Sequence, residues 1–162
     1  MRFVFVDRIV KLDVPHRIET SKHVSGLDDV FADHFPGYPV LPGALVVEAF
    51  AQACQLLIAL SREFAEVGGC AGSRVTFRHP VRPGDQLAIR CERRGDDGWV
   101  LDATAMVESR RVAAATLEYE LEPAAPGTDA ERHAARLWRA RARAHAGARR
   151  PRAARRRRVT HE

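Results

Sequence analysis

The chain has 162 residues, of which 46% are hydrophobic and 29% are charged. This composition fits one globular domain of mixed secondary structure and excludes a two-domain enzyme. A chain of this length buries enough surface to fold without a metal or a disulfide. Its three cysteines, Cys54, Cys70 and Cys91, form no C-x-x-C pair. We therefore expect reduced, buried thiols, no metal site and no redox chemistry.

The net charge of +5 is distributed unequally along the chain. Residues 1–125 carry 14 Lys and Arg against 18 Asp and Glu, whereas residues 126–162 carry 12 Arg against three acidic residues. This division predicts a folded domain over residues 1–122 and an Ala- and Arg-rich tail over residues 123–162, either disordered or a solvated helix. A nucleic-acid-binding arm is the alternative for the tail, but we favour a solvated appendage and expect no nucleic-acid partner.

The first half of the domain predicts a hairpin, a loop and one long helix. Apolar residues over 3–12 and 17–24 indicate two strands joined by a turn at 13–16. Residues 1–12 have charged side chains and no central apolar run, so we expect no secretory signal and a cytoplasmic protein. A loop rich in Pro and Gly follows at 25–42. Residues 43 to about 64, ahead of a Gly-Gly pair, indicate a helix that is apolar on nearly every side.

The polar residues of this helix before Ser61 are Glu48, Gln52 and Gln55, which share one stripe. A carboxylate and two amides make membrane insertion costly, so we expect no membrane span. The rest of the domain predicts antiparallel strands at 74–81, 86–93, 99–108 and 112–121. Short polar connections at 94–98 and 108–111 favour a meander of neighbouring strands.

The segment from Asp33 to Gln52 concentrates the residues that suit catalysis. His34 lies in the Pro- and Gly-rich loop, and an imidazole accepts a proton near neutral pH. Glu48 lies among apolar neighbours, where desolvation favours the protonated carboxyl group that a general acid needs. Gly43 begins the helix, so its backbone N–H can bind an oxygen that develops negative charge. Removing an α-proton and expelling a β-hydroxyl as water requires such a base, acid and oxyanion donor.

Each of these residues also has a purely structural interpretation. A histidine in a loop of Pro and Gly can serve packing alone, and Glu48 can be a buried group that is hydrogen-bonded to Gln52. The residue types by themselves leave both interpretations open.

Three motifs resemble the signature of the FabZ/FabA family of 3-hydroxyacyl carrier-protein dehydratases, which have the hotdog fold. The central motif consists of His34-Phe-Pro-Gly37, Pro39, Pro42-Gly43 and Glu48-Ala-x-Ala-Gln52. The upstream motif is Phe5-Val-Asp7-Arg8, and the downstream motif is Phe77-x-x-Pro80-Val-x-Pro83-Gly84-Asp85-Gln86. Three motifs in the family's order are more specific than any one motif. The resemblance implies an α+β hotdog fold, with a curved antiparallel sheet wrapped around one long central helix.

The resemblance also implies roles for the catalytic residues. His34 would take the α-proton, and Glu48 would protonate the departing hydroxyl group. The Gly43 N–H would bind the thioester carbonyl, and Gln52 would hold Glu48 in place. Glu rather than Asp at position 48 is similar to the FabZ branch, which dehydrates without isomerising. Because the family's His and the acid facing it come from different subunits, a homodimer is implied, which could assemble into a trimer of dimers.

Substrates of the family are 3-hydroxyacyl chains on the phosphopantetheine of acyl carrier protein, with no separate cofactor. The residues expected to bind substrate are Phe35, Pro36, Gly37, Pro42, Phe50, Leu56 and Phe77. Carrier proteins are acidic, so basic residues near the tunnel mouth should steer them. The candidates are Arg78, Arg82, Arg93 and Arg94.

Two other functions are alternatives. One is a hotdog acyl-thioesterase, although the His loop and the Glu with its following Gln fit elimination better. The other is a non-catalytic acyl-binding or regulatory hotdog protein. The acid, the base and Gly43 are all present at their family positions, which argues against this alternative. The substrate class that the resemblance implies is used in fatty-acid synthesis and in specialised polyketide, polyene or lipid pathways.

Overall fold

A computed structural model of the protein describes residues 4–27 and 29–124. Within them, six strands form one antiparallel sheet in the order β1-β2-β4-β5-β6-β3. A one-turn helix, α1 (Val30–Asp33), precedes the long helix α2 (Gly43–Ser61). The strands are β1 (Arg8–Asp13), β2 (Arg17–His23), β3 (Glu66–Phe77), β4 (Gln86–Arg93), β5 (Trp99–Val107) and β6 (Arg110–Pro123).

Helix α2 packs on one face of the sheet, against strands β2, β3, β4, β5 and β6. The strands bury alternate residues under it, as Leu87, Ile89 and Cys91 of β4 illustrate. Among the described residues, α2 is the one helix long and apolar enough to cross a membrane. Eight of its residues are buried within the domain, which is the packing of a core helix. The predicted α+β architecture around one central helix is confirmed.

Local patterns located two parts of the sheet correctly. The β1–β2 hairpin closes where predicted, with the His16 N–H donating to the Asp13 carbonyl over 2.7 Å. Strands β4, β5 and β6 form the predicted meander, with Ile89 opposite Ala105 and Ala105 opposite Ala113. Period-two burial and short polar connections are sufficient for such neighbours because each contact is close in sequence.

Helix α2 ends at Ser61 rather than at about residue 64. The Arg62 N–H still donates to the Ile58 carbonyl over 2.9 Å. The next two residues, Glu63 and Phe64, have φ angles of 51° and 62°. This left-handed backbone cannot continue a right-handed helix, so the chain turns there into β3.

Strand β3 differs most from the prediction, which placed a strand at residues 74–81. The observed strand starts at Glu66 and so includes the Gly-Gly pair that was expected to follow the helix. A Cβ atom at Gly68 would lie 2.8 Å from Cδ1 of Ile58 and 2.9 Å from Cδ1 of Tyr119. Glycine therefore fits this strand because α2 and β6 leave no room for a side chain, a tertiary contact that local pattern does not reveal.

The cysteines agree with the prediction at two positions of three. Cys54 and Cys91 are buried, whereas Cys70 on β3 is exposed, so the prediction of a buried thiol was wrong there. A hydrogen bond with Cys54 and burial together raise the pKa of the Cys91 thiol well above its ordinary value. Cys91 is therefore a protonated thiol at neutral pH.

The last described strand runs one residue past the predicted boundary between the domain (1–122) and the tail (123–162). Strand β6 ends at Pro123, and the Ala124 N–H donates to the Ala65 carbonyl over 2.9 Å. From residue 125 onward, the predicted tail lies outside the described residues. Its assignment as a disordered or solvated segment stays a prediction.

Candidate active site

His34 is held by the loop that leads from α1 to α2. Its Nδ1 lies 2.9 Å from the carbonyl oxygen of Val40, and the Val40 N–H donates to the His34 carbonyl over 2.9 Å. A carbonyl oxygen only accepts hydrogen bonds, so Nδ1 carries the proton of the neutral imidazole. Nε2 then has a free lone pair and is the atom that can act as a base.

His34 lines a cleft of about 400 Å³. One wall comes from the His34 loop and the first residues of α2, and the other comes from the segment after β3 and from β6. Most of the lining is apolar. The lining residues are His34, Val40, Leu41, Gly43, Val46, Phe77, Arg78, His79, Pro80, Val81, Val112 and Ala113. A base at the edge of an apolar cleft suits a substrate with a reactive polar head and an alkyl chain.

Gly43 brings the amino end of α2 to this cleft. The N–H groups of Leu45 and Val46 both donate to the Pro42 carbonyl, whereas the first N–H groups of a helix have no acceptor within it. A Cβ atom on Gly43 would lie 3.0 Å from Cζ of the Phe77 ring. Glycine at this position thus lets the aromatic wall approach the end of the helix, where Gly43 lines the cleft.

Glu48 lies outside the lining of the cleft. It follows Gly43 by five residues, which turns it about 140° around the helix axis at 3.6 residues per turn. Within one chain Glu48 is exposed, so the predicted apolar surroundings were wrong for the isolated chain. The reason is that the helix stripe that carries Glu48 faces away from the sheet.

Gln52 is hydrogen-bonded to Glu48 within the chain. Its Nε2 donates to Oε1 of Glu48 over 2.8 Å, and its own Oε1 accepts the Phe5 N–H over 2.7 Å. The second bond fixes the rotation of the amide, because the oxygen must face Phe5 and the nitrogen must face Glu48. The side chain of Glu48 is therefore oriented from the amino-terminal segment through Gln52.

The predicted substrate-binding residues occupy three kinds of place. Phe77 lines the cleft, although half of its surface is exposed. Phe35, Pro36 and Gly37 are exposed at the tip of the His34 loop, and Pro42 caps α2. Phe50 and Leu56 are buried residues of α2 itself and do not line this cleft. Contact of these two with an acyl chain stays a prediction.

Within one chain, the four candidate arginines lie at two ends of the domain. Arg78 lines the cleft and Arg82 follows in the same loop. Arg93 ends β4, which starts at Gln86, so a strand of roughly 23 Å at 3.3 Å per residue separates it from the cleft loop. Within one chain, Arg93 and Arg94 cannot join Arg78 in a single patch.

The two distant arginines are also engaged within the chain. The Arg93 guanidinium lies 4.3 Å from the centroid of the Trp99 ring. Arg94 forms an ion pair with Asp102 over 2.6 Å, and Thr116 donates to the same carboxylate over 2.8 Å. Burial tends to raise the pKa of Asp102, but the hydrogen bonds from Arg94 and Thr116 hold that pKa below its ordinary value. Neither arginine is presented as a free cation.

Sequence reasoning missed His79 and the apolar residues of the far wall. His79 lines the cleft opposite His34, and its place in the third motif was the signal that could have identified it. Val112 and Ala113 could not be identified because only the pairing of β6 with β3 brings them there. Over residues 4–27 and 29–124, no group of three or more His, Cys, Asp or Glu side chains could hold a metal ion.

Solved structures match this fold at low sequence identity. One titled as the dehydratase heterocomplex ApeI:P from Xenorhabdus doucetiae has a TM-score of 0.57 at 18% identity, covering 68% of this chain and 95% of that chain. The PaaI protein of E. coli has a TM-score of 0.55 at 16% identity, covering 70% and 81%. At such identity the likeness establishes the hotdog fold alone.

Sequence relatives are more informative. A 3-hydroxyacyl-[acyl-carrier-protein] dehydratase FabZ of Symbiobacterium thermophilum is 40% identical over 129 residues, covering 76% of this chain and 89% of that protein. The FabZ of Nitratiruptor sp. is 38% identical over 127 residues, covering 72% and 85%. Residues 1–116 match the family model described as a FabA-like domain. The chain therefore belongs to the FabA-like family, and within it the chain is similar to the FabZ dehydratases.

Proposed function

We propose that this protein is a dehydratase that converts 3-hydroxyacyl thioesters on acyl carrier protein into trans-2-enoyl thioesters and water. One observation carries the proposal: the free Nε2 of His34 and the amino end of α2 at Gly43 share one cleft. The curated relatives with FabZ names support the same reaction. Fatty-acid synthesis is the pathway that these relatives favour, with related lipid or polyketide pathways as variants, and the cytoplasm is the expected compartment.

The reaction divides into proton removal and hydroxyl loss. Nε2 of His34 takes the α-proton, and the electron pair moves into the thioester carbonyl. The resulting enolate oxygen accepts the Gly43 N–H at the positive end of the α2 dipole. The electron pair then returns to form the α,β double bond, while the β-hydroxyl takes the proton of the Glu48 carboxyl group and leaves as water. No cofactor is required, because the chain supplies the base, the acid and the oxyanion donor.

The position of Glu48 supports a dimeric enzyme. Glu48 is exposed and lies outside the cleft of its own chain, so a second copy must supply the acid to each cleft. Among the described strands, β3 has a neighbour on one side only, and its Val67 and Phe77 side chains are 49% and 51% exposed. An open edge with apolar side chains suits pairing with the same edge of a second copy. We infer a homodimer with two shared sites, which is complete without a trimer of dimers.

Arg78 is the best placed of the arginines for contact with the carrier protein. It lines the cleft that the phosphopantetheine must enter, and a guanidinium there would attract both the phosphate and the acidic carrier surface. The acyl chain would then extend along apolar residues such as Val46 and Phe77. Phe50 and Leu56 would border the chain only beyond this cleft, beside the body of α2.

The proposal is tested by following water loss and addition on a 3-hydroxybutyryl and crotonyl carrier-protein pair by mass spectrometry. Native protein should interconvert the two. His34→Ala and Glu48→Gln should each abolish measurable turnover while retaining the native circular dichroism and dimer mass. His16→Ala and Glu108→Gln are matched controls, because both residues are exposed and lie outside the motifs and the lining of the cleft. Loss of activity only in the first pair supports both roles.

Three outcomes would replace or revise the proposal. Release of free acid and carrier thiol without enoyl product would identify a thioesterase. Retention of acyl carrier without any turnover would identify a binding protein. Native activity that survives both His34→Ala and Glu48→Gln would move the catalytic site elsewhere in the fold.

A further inference from the structure

The tip of the His34 loop is a closed turn that presents Tyr38. The Phe35 N–H donates to the Tyr38 carbonyl over 3.2 Å, and the Tyr38 N–H donates to the Phe35 carbonyl over 3.0 Å. Gly37 has a φ of 75°, which glycine adopts readily. His34 and Phe35 are adjacent, and their rings stack with centroids 4.2 Å apart. Tyr38 is therefore connected to His34 through Phe35.

Arg82 contacts this tip from the opposite wall of the cleft. Its Nη2 donates to the hydroxyl of Tyr38 over 2.5 Å, and its Cζ lies 4.6 Å from the centroid of the Tyr38 ring. A guanidinium that meets both the face and the hydroxyl of one tyrosine constrains its position in two directions. This geometry is more specific than a surface charge that faces solvent.

The base of Arg82 is itself anchored to the core. Its N–H donates to Oδ2 of Asp85 over 2.8 Å, and the Asp85 N–H donates to the Arg82 carbonyl over 3.1 Å. Gly84 and Asp85 in turn exchange backbone hydrogen bonds of 2.9 and 3.0 Å with Val24, which is buried. Arg82 thus extends from a fixed turn, whereas Tyr38 lies at an exposed loop tip.

We propose that Tyr38 and Arg82 form a clamp that sets the width of the cleft and the orientation of His34. The Leu41 N–H donates to the Val81 carbonyl over 2.7 Å and joins the two walls at their base; the clamp joins them at their tips. Both are positioning residues that act through His34, and the inference rests on the proposed dehydration. It gives Arg82 a different task from the carrier contact expected from the sequence.

The exposure of the pair makes its effect on stability small. Tyr38 is 52% exposed, and Arg82 is exposed as well. Contacts between exposed groups contribute little to global folding. Alignment of a catalytic base is far more sensitive, since small displacements of reacting atoms slow proton transfer. The clamp therefore predicts reduced turnover with a nearly unchanged melting temperature.

The experiment uses Tyr38→Phe, Arg82→Lys, the double variant and two substrates. One substrate is 3-hydroxybutyryl carrier protein, and the other is its N-acetylcysteamine thioester, which has no carrier. The clamp predicts that each single variant lowers kcat about three- to tenfold on both substrates, with KM changed less. Because every variant weakens the same Tyr38–Arg82 pair, the effects of the two single variants should not add in the double variant. Arg90→Gln, on an exposed residue of β4, is the matched control and should match native turnover.

A rise in KM confined to the carrier-linked substrate would overturn the clamp and return Arg82 to carrier docking. Unchanged kcat in both single variants would overturn it as well. Hydrogen exchange at the Val40 amide, which is bonded to the His34 carbonyl, gives a readout without activity. The clamp predicts faster exchange there in Tyr38→Phe and Arg82→Lys than in native protein, and equal exchange would overturn it. If native protein lacks dehydratase activity, the proposed function fails while this measurement still decides the clamp.

Discussion

The two halves of the site differ in how far one chain completes them. His34 and Gly43 share a cleft, and the imidazole is fixed by the carbonyl of Val40. Glu48 and Gln52 are equally well connected to each other, but Glu48 is exposed and lies outside that cleft. Both halves depend on the first turns of α2, yet they face different sides of it. On the proposed mechanism, a single chain therefore carries the base and the oxyanion donor, while the acid becomes useful only on assembly.

Mixing of two inactive variants is the strongest test of whether the two halves of one site come from different chains. His34→Ala and Glu48→Gln should each lower kcat by about 10³-fold or more, since each removes a proton-transfer group. When the two are unfolded, mixed in equal amounts and refolded, half of the dimers are hybrids with one intact site. Activity should return to about a quarter of the native value if base and acid come from different subunits.

The control for this mixture is each variant refolded alone, which should stay inactive. If base and acid belong to the same chain, every site in the hybrid carries one lesion and the mixture also stays inactive. That result, with hybrid dimers detected by native mass spectrometry, would contradict the shared site.

Gly43→Ala tests the half that is complete within the chain. The added Cβ would lie 3.0 Å from Cζ of Phe77, so the ring must shift towards the space of the substrate. The N–H is retained, and we expect a fall in kcat/KM of about tenfold rather than the larger loss seen when an oxyanion donor is removed. Steady-state kinetics of Gly43→Ala and of Gly43→Ala with Phe77→Leu measure it. If the second change restores nothing, crowding by the ring is not the cause.

Gln52→Ala tests the half that faces outward. It removes the amide that donates to Glu48 and the oxygen that accepts the Phe5 N–H. We expect kcat to fall about three- to tenfold, because the acid loses its orientation but keeps its proton. Gln55→Ala, an exposed glutamine on the same helix, is the matched control. Equal kinetics for the two variants would show that Gln52 does not position Glu48.

Removal of the tail should have the smallest effect. Truncation after Ala124 keeps all of β6 and the hydrogen bond from Ala124 to Ala65. All residues that we assign to the two halves precede that point, so we expect kcat to change less than about twofold. Turnover of the truncated protein at low and physiological salt measures this. A loss of turnover in a folded dimer would mean that the Arg-rich tail takes part in the reaction or in carrier binding.

How well each part of the site could be predicted depended on how far apart in sequence the contacting residues are. The loop with His34, the start of α2 and the pairing of Glu48 with Gln52 lie within twenty residues of one another, and motif and helix period were sufficient for them. Tyr38 and Arg82 are 44 residues apart, and no local pattern connects them. The sequence likewise could not rank the four candidate arginines, since only the folded chain shows that strand β4 separates Arg93 from Arg82.

Alternation, helix period and turn chemistry in the sequence determined the long helix, the β1–β2 hairpin and the β4–β6 meander, because those features depend on neighbours in the chain. The motifs determined which residues could act as base, acid and oxyanion donor. Tertiary structure alone decided that β3 joins β6 at the open edge, that Gly68 is a strand residue beneath Ile58 and Tyr119, and that Glu48 faces outward. Such features depend on which elements, far apart in sequence, bury their apolar surfaces against each other. That packing is defined only when the whole chain folds.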